Sequence, residues 1–204
     1  MAEVSRYYSA PADPSPASHK PGSRLWLKLL GFGCGVPILL CAVPILALHF
    51  VIQSNLDAGA QATQEGRIDE AIARYETVRA MNPDFAPVRP ALGYLYFKTG
   101  RPDQGIGELR AAVRLEPRNL SYHDQLTNAL LIAGRYAEAE QEARIAIGLN
   151  GADSAAHNNL AGACKMQGRF DEAEREYQVA IQLDPGDLSA QKNLAKMRRQ
   201  LNGR

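Results

Sequence analysis

Two histidines 34 residues apart are the first candidates for chemistry in this chain of 204 residues. His123 and His157 are residue types that bind metal ions or act as general bases, and Cys164 follows His157 by seven residues. A zinc site normally combines several such ligands at short spacings such as CxxC, and no such run accompanies these residues. Seven residues are about two helical turns. We therefore expect His157 and Cys164 to share one packed helix face, with no metal bound.

Acidic side chains are the second group, because paired carboxylates in a pocket can exchange protons with a substrate. They occur in two closely spaced runs: Glu138, Glu140 and Glu142, and then Asp171, Glu172, Glu174 and Glu176. Both runs fall on the second helices of the helix pairs described below, on their outer side, so they are predicted to be solvated faces. The sequence has no phosphate-binding glycine loop and no recognisable Ser/His/Asp set. We predict that the chain is not an enzyme and binds no cofactor.

The distribution of charge is more informative than its total. The formal net charge is +1, whereas the last seventeen residues contain five basic residues and no acidic one. This basic segment is interpreted as a solvated helix face, and the alternative is contact with phosphates or acidic lipid. Nowhere is a basic stripe interleaved with aromatic residues, so no nucleic-acid partner is expected.

A phrase beginning with Gly-Arg returns every 34 residues. Its copies begin at Gly66, Gly100, Gly134 and Gly168. Five residues later each copy has a small residue: Ala71, Gly105, Ala139 and Ala173. Three of the units then end in proline, at Pro83, Pro117 and Pro185. Glycine permits a tight turn, small residues allow close packing and proline ends a helix, so the period predicts stacked helix pairs.

This pattern resembles the tetratricopeptide repeat (TPR) family, whose units carry Trp, Leu, Gly and Tyr in a first helix and Ala, an aromatic residue, Ala and Pro in a second. Four units of constant length occupy residues 52–85, 86–119, 120–153 and 154–187. The resemblance implies an all-α fold, a right-handed solenoid of antiparallel helix pairs called the TPR superhelix. One position of the four units departs from the family tryptophan: Asn55, Arg89, His123 and His157. The histidines are therefore expected to pack between helices.

Residues 188–204 are predicted to form a basic C-terminal capping helix. Its apolar seam consists of Leu188, Leu194, Met197 and Leu201. Such a helix covers the last repeat with a polar outer face.

In the TPR family the first helices line a concave groove, and the resemblance implies a protein or peptide partner there. The matching positions are Tyr94, Phe97, Asp124, Asn128, Leu131, Asn158, Asn159, Lys165, Lys192 and Asn193. Aromatic and amide side chains together suit an extended peptide. The alternative is that these residues are ordinary solvated groove positions without a dedicated ligand.

One subclass of the family clamps a C-terminal carboxylate with lysine, asparagine and arginine. Asn128 and Asn159 match two of its positions, but Asp124 stands where the first lysine belongs. Ser189 and Asn193 replace the final basic pair. A carboxylate would be repelled by Asp124, so binding of this kind of tail is not expected.

Ahead of the repeats, residues 29–52 contain no Lys, Arg, Asp or Glu. This segment is long enough for a transmembrane signal-anchor helix, and residues 1–28 are predicted to be a disordered tail. Lys20, Arg24 and Lys28 precede it, which predicts a cytoplasmic N-terminus and repeats (residues 53–187) on the far side, the periplasm if the source is bacterial. Gly31 and Gly35 form one GxxxG pair, a weak indication of a homodimer.

Together these features predict a single-pass membrane protein that acts as a TPR adaptor or scaffold, within a cell-envelope or secretion assembly. Two alternatives stay open. The repeats could face the cytosol and receive client proteins, or the protein could be an architectural subunit whose groove binds nothing.

Overall fold

The structure is a computed structural model that describes residues 35–202, with side chains from residue 46 onward. Within this range the chain is all-helical and contains no strand. The helices are α1 (Gly35–Gln64), α2 (Ile68–Met81), α3 (Val88–Lys98), α4 (Pro102–Leu115), α5 (Leu120–Ile132), α6 (Tyr136–Leu149), α7 (Ser154–Met166), α8 (Phe170–Leu183) and α9 (Leu188–Asn202). The predicted all-helical arrangement of helix pairs is confirmed within these residues, and the segment predicted to form the cap contains α9.

The described residues divide into two compact units, 35–88 and 89–202. In the first unit α1 packs on α2, and Gly59 lies under the ring of Tyr75, where a Cβ would be 2.8 Å from Cε1. In the second unit the successive pairs α5/α6 and α7/α8 stack, with α9 against α7 and α8. Small residues at these crossings therefore set the distance between helices, as the sequence pattern predicts.

The turn inside each pair requires glycine. Gly66, Gly100, Gly134 and Gly168 have φ of 74°, 73°, 77° and 79°, a left-handed conformation that strains other residues. In the turn after α5, Arg135 N–H donates to Leu130 O at 2.8 Å and Gly134 N–H donates to Leu131 O at 3.2 Å. This is the Schellman arrangement, which satisfies carbonyls at a helix end. The repeated Gly-Arg phrase therefore marks the end of the first helix in each pair.

Two apolar clusters form the core of residues 89–202. One lies between α4, α5 and α6 and includes Ile106, Leu109 and Leu130. The other joins α7, α8 and α9 through Leu160, Tyr177 and Met197. Each cluster therefore crosses a boundary between sequence units, so neighbouring repeats stabilise each other.

The position of the family tryptophan is filled by a polar pair in three successive units. A side chain of the first helix bonds a glutamate of the second, always 19 residues later: Arg89 Nη1 to Glu108 at 2.8 Å, His123 Nδ1 to Glu142 at 2.9 Å and His157 Nδ1 to Glu176 at 2.7 Å. We call each pair a clasp. His123 is 2% exposed and Glu108 is 8% exposed, whereas the side chains of Glu142 and Glu176 are 22% and 23% exposed, so each clasp is a partly buried polar contact.

Each clasp histidine also contacts a backbone carbonyl. His123 Nε2 lies 3.1 Å from Pro117 O, and His157 Nε2 lies 3.2 Å from Gly151 O. Each ring therefore faces an oxygen acceptor at both nitrogens, and a doubly protonated ring donates to both. The clasp connects the first helix to the second helix and to the loop before it.

The outer acidic residues are less solvated than the sequence indicates. Arg144 Nη2 on α6 donates to Glu172 on α8 at 2.8 Å, and Arg110 on α4 pairs with Glu138 on α6, also 28 residues away. The Glu138 side chain is still 40% exposed, in agreement with a solvated outer face. Glu142, Glu172 and Glu176 are only 22%, 25% and 23% exposed, because each reaches a basic partner on another helix. Asp171 is exposed as predicted.

The cap also differs from its prediction at one position. Leu194 and Met197 are buried and Leu201 is partly buried, but Leu188 is 58% exposed. Ala190 is buried in its place. Leu188 is the first residue of α9, and the seam that packs on α7 and α8 begins two residues later.

The predicted anchor falls largely on residues whose side chains are not described. Residues 1–34, which include Gly31 of the GxxxG pair, lie outside the described range. Helix α1 runs unbroken from Gly35 past the end of the predicted span to Gln64. Among residues 35–202, no helix has both the length and the apolar character needed to cross a bilayer.

The clasps generate a stability prediction. Glu142→Ala leaves the buried His123 ring without its carboxylate partner, so we expect the free energy of unfolding to fall by about 2 kcal/mol. Chemical denaturation followed by circular dichroism measures this change. Gln141→Ala, at the exposed neighbouring position, is the control and should change stability by less than about 0.5 kcal/mol.

His123→Arg tests the same idea from the other side. Arg89 already fills the equivalent position of the preceding unit, so arginine should retain most of the stability that His123→Ala removes. Equal losses for the arginine and alanine variants would contradict a stabilising role of the bond to Glu142.

Candidate functional site

The predicted groove residues lie on α3, α5, α7 and α9, the first helices of successive pairs in residues 89–202. Helix α7 contacts both α5 and α9 directly. Because the units have constant length, equivalent positions of these helices present themselves on the same face. The face formed by these helices is called the groove face below.

Two equivalent hydrogen bonds connect the groove face. Asn159 Nδ2 on α7 donates to Asp124 Oδ1 on α5 at 3.2 Å. Asn193 Nδ2 on α9 donates to Asn158 Oδ1 on α7 at 3.1 Å. Both bonds join residues 35 positions apart, so one contact recurs at successive interfaces between helices. The structure thus brings together Asp124 with Asn159, and Asn158 with Asn193.

Asp124 is the electrostatically unusual member of this row. Burial raises the pKa of its carboxyl group to about 6, and the negative charge of Asp153 acts in the same direction. The hydrogen bond from Asn159 and the nearby His123 act the other way, because both favour the ionised carboxylate. The groove face therefore carries an acidic group that titrates near neutral pH.

The aromatic members have different surroundings. Tyr94 is partly buried, and Lys98 Nζ lies 5.3 Å from the centroid of its ring. Phe97 packs against the α4–α6 cluster and covers Gly105, where a Cβ would be 2.6 Å from the ring. The ring of Phe97 thus fills the space left by the missing side chain of Gly105. Its contacts are those of a packing residue.

The remaining members line the same helices. Leu131 packs against the core and reaches α7, where a Cβ on Gly162 would be 3.5 Å from Leu131 Cδ1. Asn128 and Lys165 are partly buried, and Lys192 is exposed. Asn159 is buried at 6% exposure. Side chains available to a partner are therefore mainly the other amides and the lysines, with Tyr94 as the accessible ring.

An open groove within residues 35–88 is not among the sites predicted from the sequence. It measures about 370 Å³ and is lined by one face of α1: Phe50, Gln53, Ser54, Asp57, Ala58 and Gln61. Phe50 is 73% exposed. The spacing of three and four residues marks one helix face and could have identified this surface. The sequence reasoning assigned the first part of α1 to the membrane segment instead.

A second missed cluster surrounds Cys164. Its sulfur lies near one carboxylate oxygen each of Glu140 and Glu172, with the three atoms within 4.8 Å of one another. Three such ligands are sufficient in kind to hold a metal ion. However, both carboxylates accept hydrogen bonds from Arg144 and Arg169, and burial raises the pKa of the thiol to about 11. The cluster is therefore best described as an ion-pair network around a protonated thiol.

The raised pKa of Asp124 predicts a pH-dependent stability. The folded protein holds this proton more tightly than the unfolded chain, whose carboxyl titrates near the usual 3.8. The contribution of Asp124 to stability is therefore largest below about pH 4 and falls as the pH rises through about 6. Asp124→Asn should flatten this decline and raise stability at pH 7 by on the order of 1 kcal/mol, a value reduced for partial exposure.

Denaturation curves collected from pH 4 to pH 8 measure the effect. Asparagine at this position can still accept the bond from Asn159, as Asn158 accepts the equivalent bond from Asn193. Asp171→Asn is the matched control, because it removes the same charge at an exposed site. Parallel pH profiles for the Asp124→Asn variant and the unmodified protein would contradict the prediction.

Comparison with known proteins adds to this geometry. Among solved structures, a MamA protein is 23% identical, with 73% of this chain and 81% of that chain covered and a TM-score of 0.64. MamA from Desulfovibrio magneticus RS-1 is 15% identical, with 74% and 86% covered and a TM-score of 0.65. The first TPR domain of Spaghetti (RPAP3), bound to an HSP90 peptide, is 25% identical, with 57% and 93% covered and a TM-score of 0.52.

These likenesses concern the fold of the stacked helix pairs. No curated protein sequence matched the chain. Two tetratricopeptide repeat models match residues 62–129 and residues 125–187, which together span more than half of the sequence. The turn glycines, the small residues at helix crossings and these matches agree, and the chain belongs to the tetratricopeptide repeat family.

Proposed function

We propose that the protein is a binding scaffold whose groove face holds an extended segment of a partner protein. The observation that supports this most is the repeated bond between helices, from Asn159 to Asp124 and from Asn193 to Asn158. These bonds hold the amide groups of α7 and α9 in fixed positions, with the carboxyl group of Asp124 as the partner on α5. Amides fixed before binding lose little entropy when a ligand arrives, which favours affinity.

The amides retain capacity for a ligand. An asparagine side chain has two donor hydrogens and an acceptor oxygen, and each observed bond uses one donor of Asn159 or Asn193. Asn159 is only 6% exposed, so the amide groups that remain for a ligand are those of the partly buried Asn128, Asn158 and Asn193. These groups can bond the backbone of an extended chain, which presents N–H and C=O groups at regular intervals. Tyr94 adds an apolar surface with a polar end, a type of residue common in binding interfaces.

The proposed partner differs from a chaperone tail. The RPAP3 domain is a structural neighbour in complex with an HSP90 peptide. In this chain Asp124 occupies the position of the first clamp lysine, and its carboxylate would repel a terminal carboxylate. We therefore propose binding along the segment's backbone, without capture of its C-terminus.

The architectural alternative is favoured by one observation. Ile145 and Leu149 on α6 and Leu183 on α8 are 48%, 39% and 40% exposed. These apolar side chains lie on second helices, away from the amide row. Docking through this outer surface would leave the groove face empty.

Photo-cross-linking in cells distinguishes the two possibilities. A benzoylphenylalanine at position 128 reports on the groove face, and one at the exposed position 178 of α8 reports on the outer surface. We expect a partner to be cross-linked from position 128 only. Tyr94→Ala combined with Asn128→Ala should then lower capture of that partner at least about tenfold. Phe97 is left intact because it packs in the core.

Ile145→Ala combined with Gln178→Ala is the matched control and should leave capture unchanged. If this outer variant loses the partner while the groove variant retains it, the architectural alternative replaces the proposal.

We further propose that residues 29–52 anchor the scaffold to a membrane, with the repeats on the far side, inside a cell-envelope or secretion assembly. Support comes from the uncharged 24-residue segment and the basic residues that precede it. A protease added after selective opening of the outer barrier should digest a C-terminal tag. Digestion only after the inner membrane is opened would favour the client-receptor alternative. Recovery of the protein in a fraction without membranes would contradict the proposed anchor.

A further inference from the structure

The capping helix α9 carries an exposed basic stripe. Lys192, Lys196 and Arg199 are all exposed and follow one another at intervals of four and three residues. This spacing places them on one helix face. Helix α9 contains no acidic residue between Leu188 and Asn202. These three residues are called the cap stripe below.

The register of α9 places the cap stripe on the groove face. The bond from Asn193 to Asn158 is equivalent to the bond from Asn159 to Asp124, so Lys192 follows the position of Asn158 and Asp124 in the preceding units. Counting in steps of 34 residues, Lys196 corresponds to Asn128 and Arg199 to Leu131. The cap stripe therefore extends the row of groove positions by one helix.

The cap stripe differs in position or in pairing from the basic residues of the second helices, of which Arg114 and Arg175 likewise form no ion pair within residues 46–202. Arg110, Arg144 and Arg169 on or beside the second helices all pair with glutamates, and Arg198 on α9 pairs with Glu174. Within residues 46–202, no ion pair involves a cap-stripe residue. The groove face thus has uncompensated positive charge on α9 and a carboxyl group, Asp124, two first helices away on α5.

We propose that the cap stripe binds acidic side chains of an extended protein segment that lies along the groove face. This inference rests on the proposed function and names the chemistry of the partner. Charge complementarity determines which part of the segment lies on which helix. The acidic part lies on α9, and an uncharged part lies near Asp124, whose carboxylate repels acids.

The dimensions of the cap stripe set how many acids are needed. From Lys192 to Arg199 the helix rises about 10 Å, at about 1.5 Å per residue. An extended chain covers this distance in about three residues, at about 3.3 Å per residue. Two or three closely spaced acidic residues therefore match the cap stripe. A lipid surface is less suitable, because the cap stripe continues a row of amides that face the groove.

The test uses the full chain and fluorescein-labelled hexaglutamate, with hexaglutamine and hexalysine as comparison peptides. Fluorescence anisotropy should detect binding of hexaglutamate alone. The variant Lys192→Gln, Lys196→Gln, Arg199→Gln should weaken this binding about tenfold, since it removes three exposed charges. The control Arg74→Gln, Arg114→Gln, Arg175→Gln removes the same charge from exposed positions on second helices and should bind as the unmodified chain does.

A hexaglutamate carrying a benzophenone keeps the test independent of the variants' folding. In the unmodified chain it should cross-link to α9, as mapped by mass spectrometry. Equal weakening by both triple variants, or cross-links to second helices, would overturn the proposal. Binding to anionic phosphatidylserine vesicles that hexaglutamate does not compete with would also overturn the proposal. Self-association that is lost only in the cap-stripe variant would do the same.

Failure of this inference is separable from failure of the proposed function. If the groove variant with Tyr94→Ala and Asn128→Ala loses its partner while hexaglutamate does not bind, the groove is a binding face but its partner is not acidic. If hexaglutamate binds the cap stripe while cross-linking from position 128 finds no partner, the cap stripe acts without the groove.

Discussion

The left-handed turn at each Gly-Arg phrase is the constraint on which the other contacts depend. Because glycine ends the first helix at one fixed place in every unit, the second helix starts in the same register each time. Each kind of contact then recurs in successive units. The two partners are 19 residues apart in a clasp, 28 in an outer arginine pair and 35 in a groove bond. A shift of one residue at a turn would rotate every later side chain by about 100° and separate these partners.

The clasps show what replaces the family tryptophan. An indole stabilises a helix pair through apolar contact, whereas His123 and Glu142 must be desolvated before they bond each other. A buried polar pair therefore gains little stability over an apolar one, but it disfavours wrong pairings, since a misplaced histidine or glutamate would lose its partner. Because His123 and His157 both pair with a glutamate, such pairs favour one register within a helix pair and do not distinguish one repeat from the next.

Sequence reasoning located the elements well and their polar contacts poorly. Helices, turns and the cap follow from local rules: glycine at the turn, small residues at crossings and proline at helix ends. The partners of Glu142 and Glu172 do not follow, because one pairs across a turn with α5 and the other with an arginine of the preceding second helix. Phe97 was predicted as a groove residue because of its helix position, yet the glycine at position 105 opens a space that its ring fills. Periodicity identifies which side chains share a helix face. The sizes of the residues on neighbouring helices decide which of these side chains stay exposed.

The groove face combines fixed dipoles with uneven charge, and these two properties have different physical roles. Amides held on α7 and α9 offer directional bonds to any extended backbone, so they contribute affinity with little discrimination among sequences. Charges act over about 8–10 Å at ordinary salt concentration and oppose ligands of the wrong sign, so they contribute selection and orientation. Asp124 beside the amides and the cap stripe beyond them provide this second property at opposite ends of one row. A scaffold built in this way can keep one backbone-binding mode and change its partner by exchanging a few charged residues on its first helices.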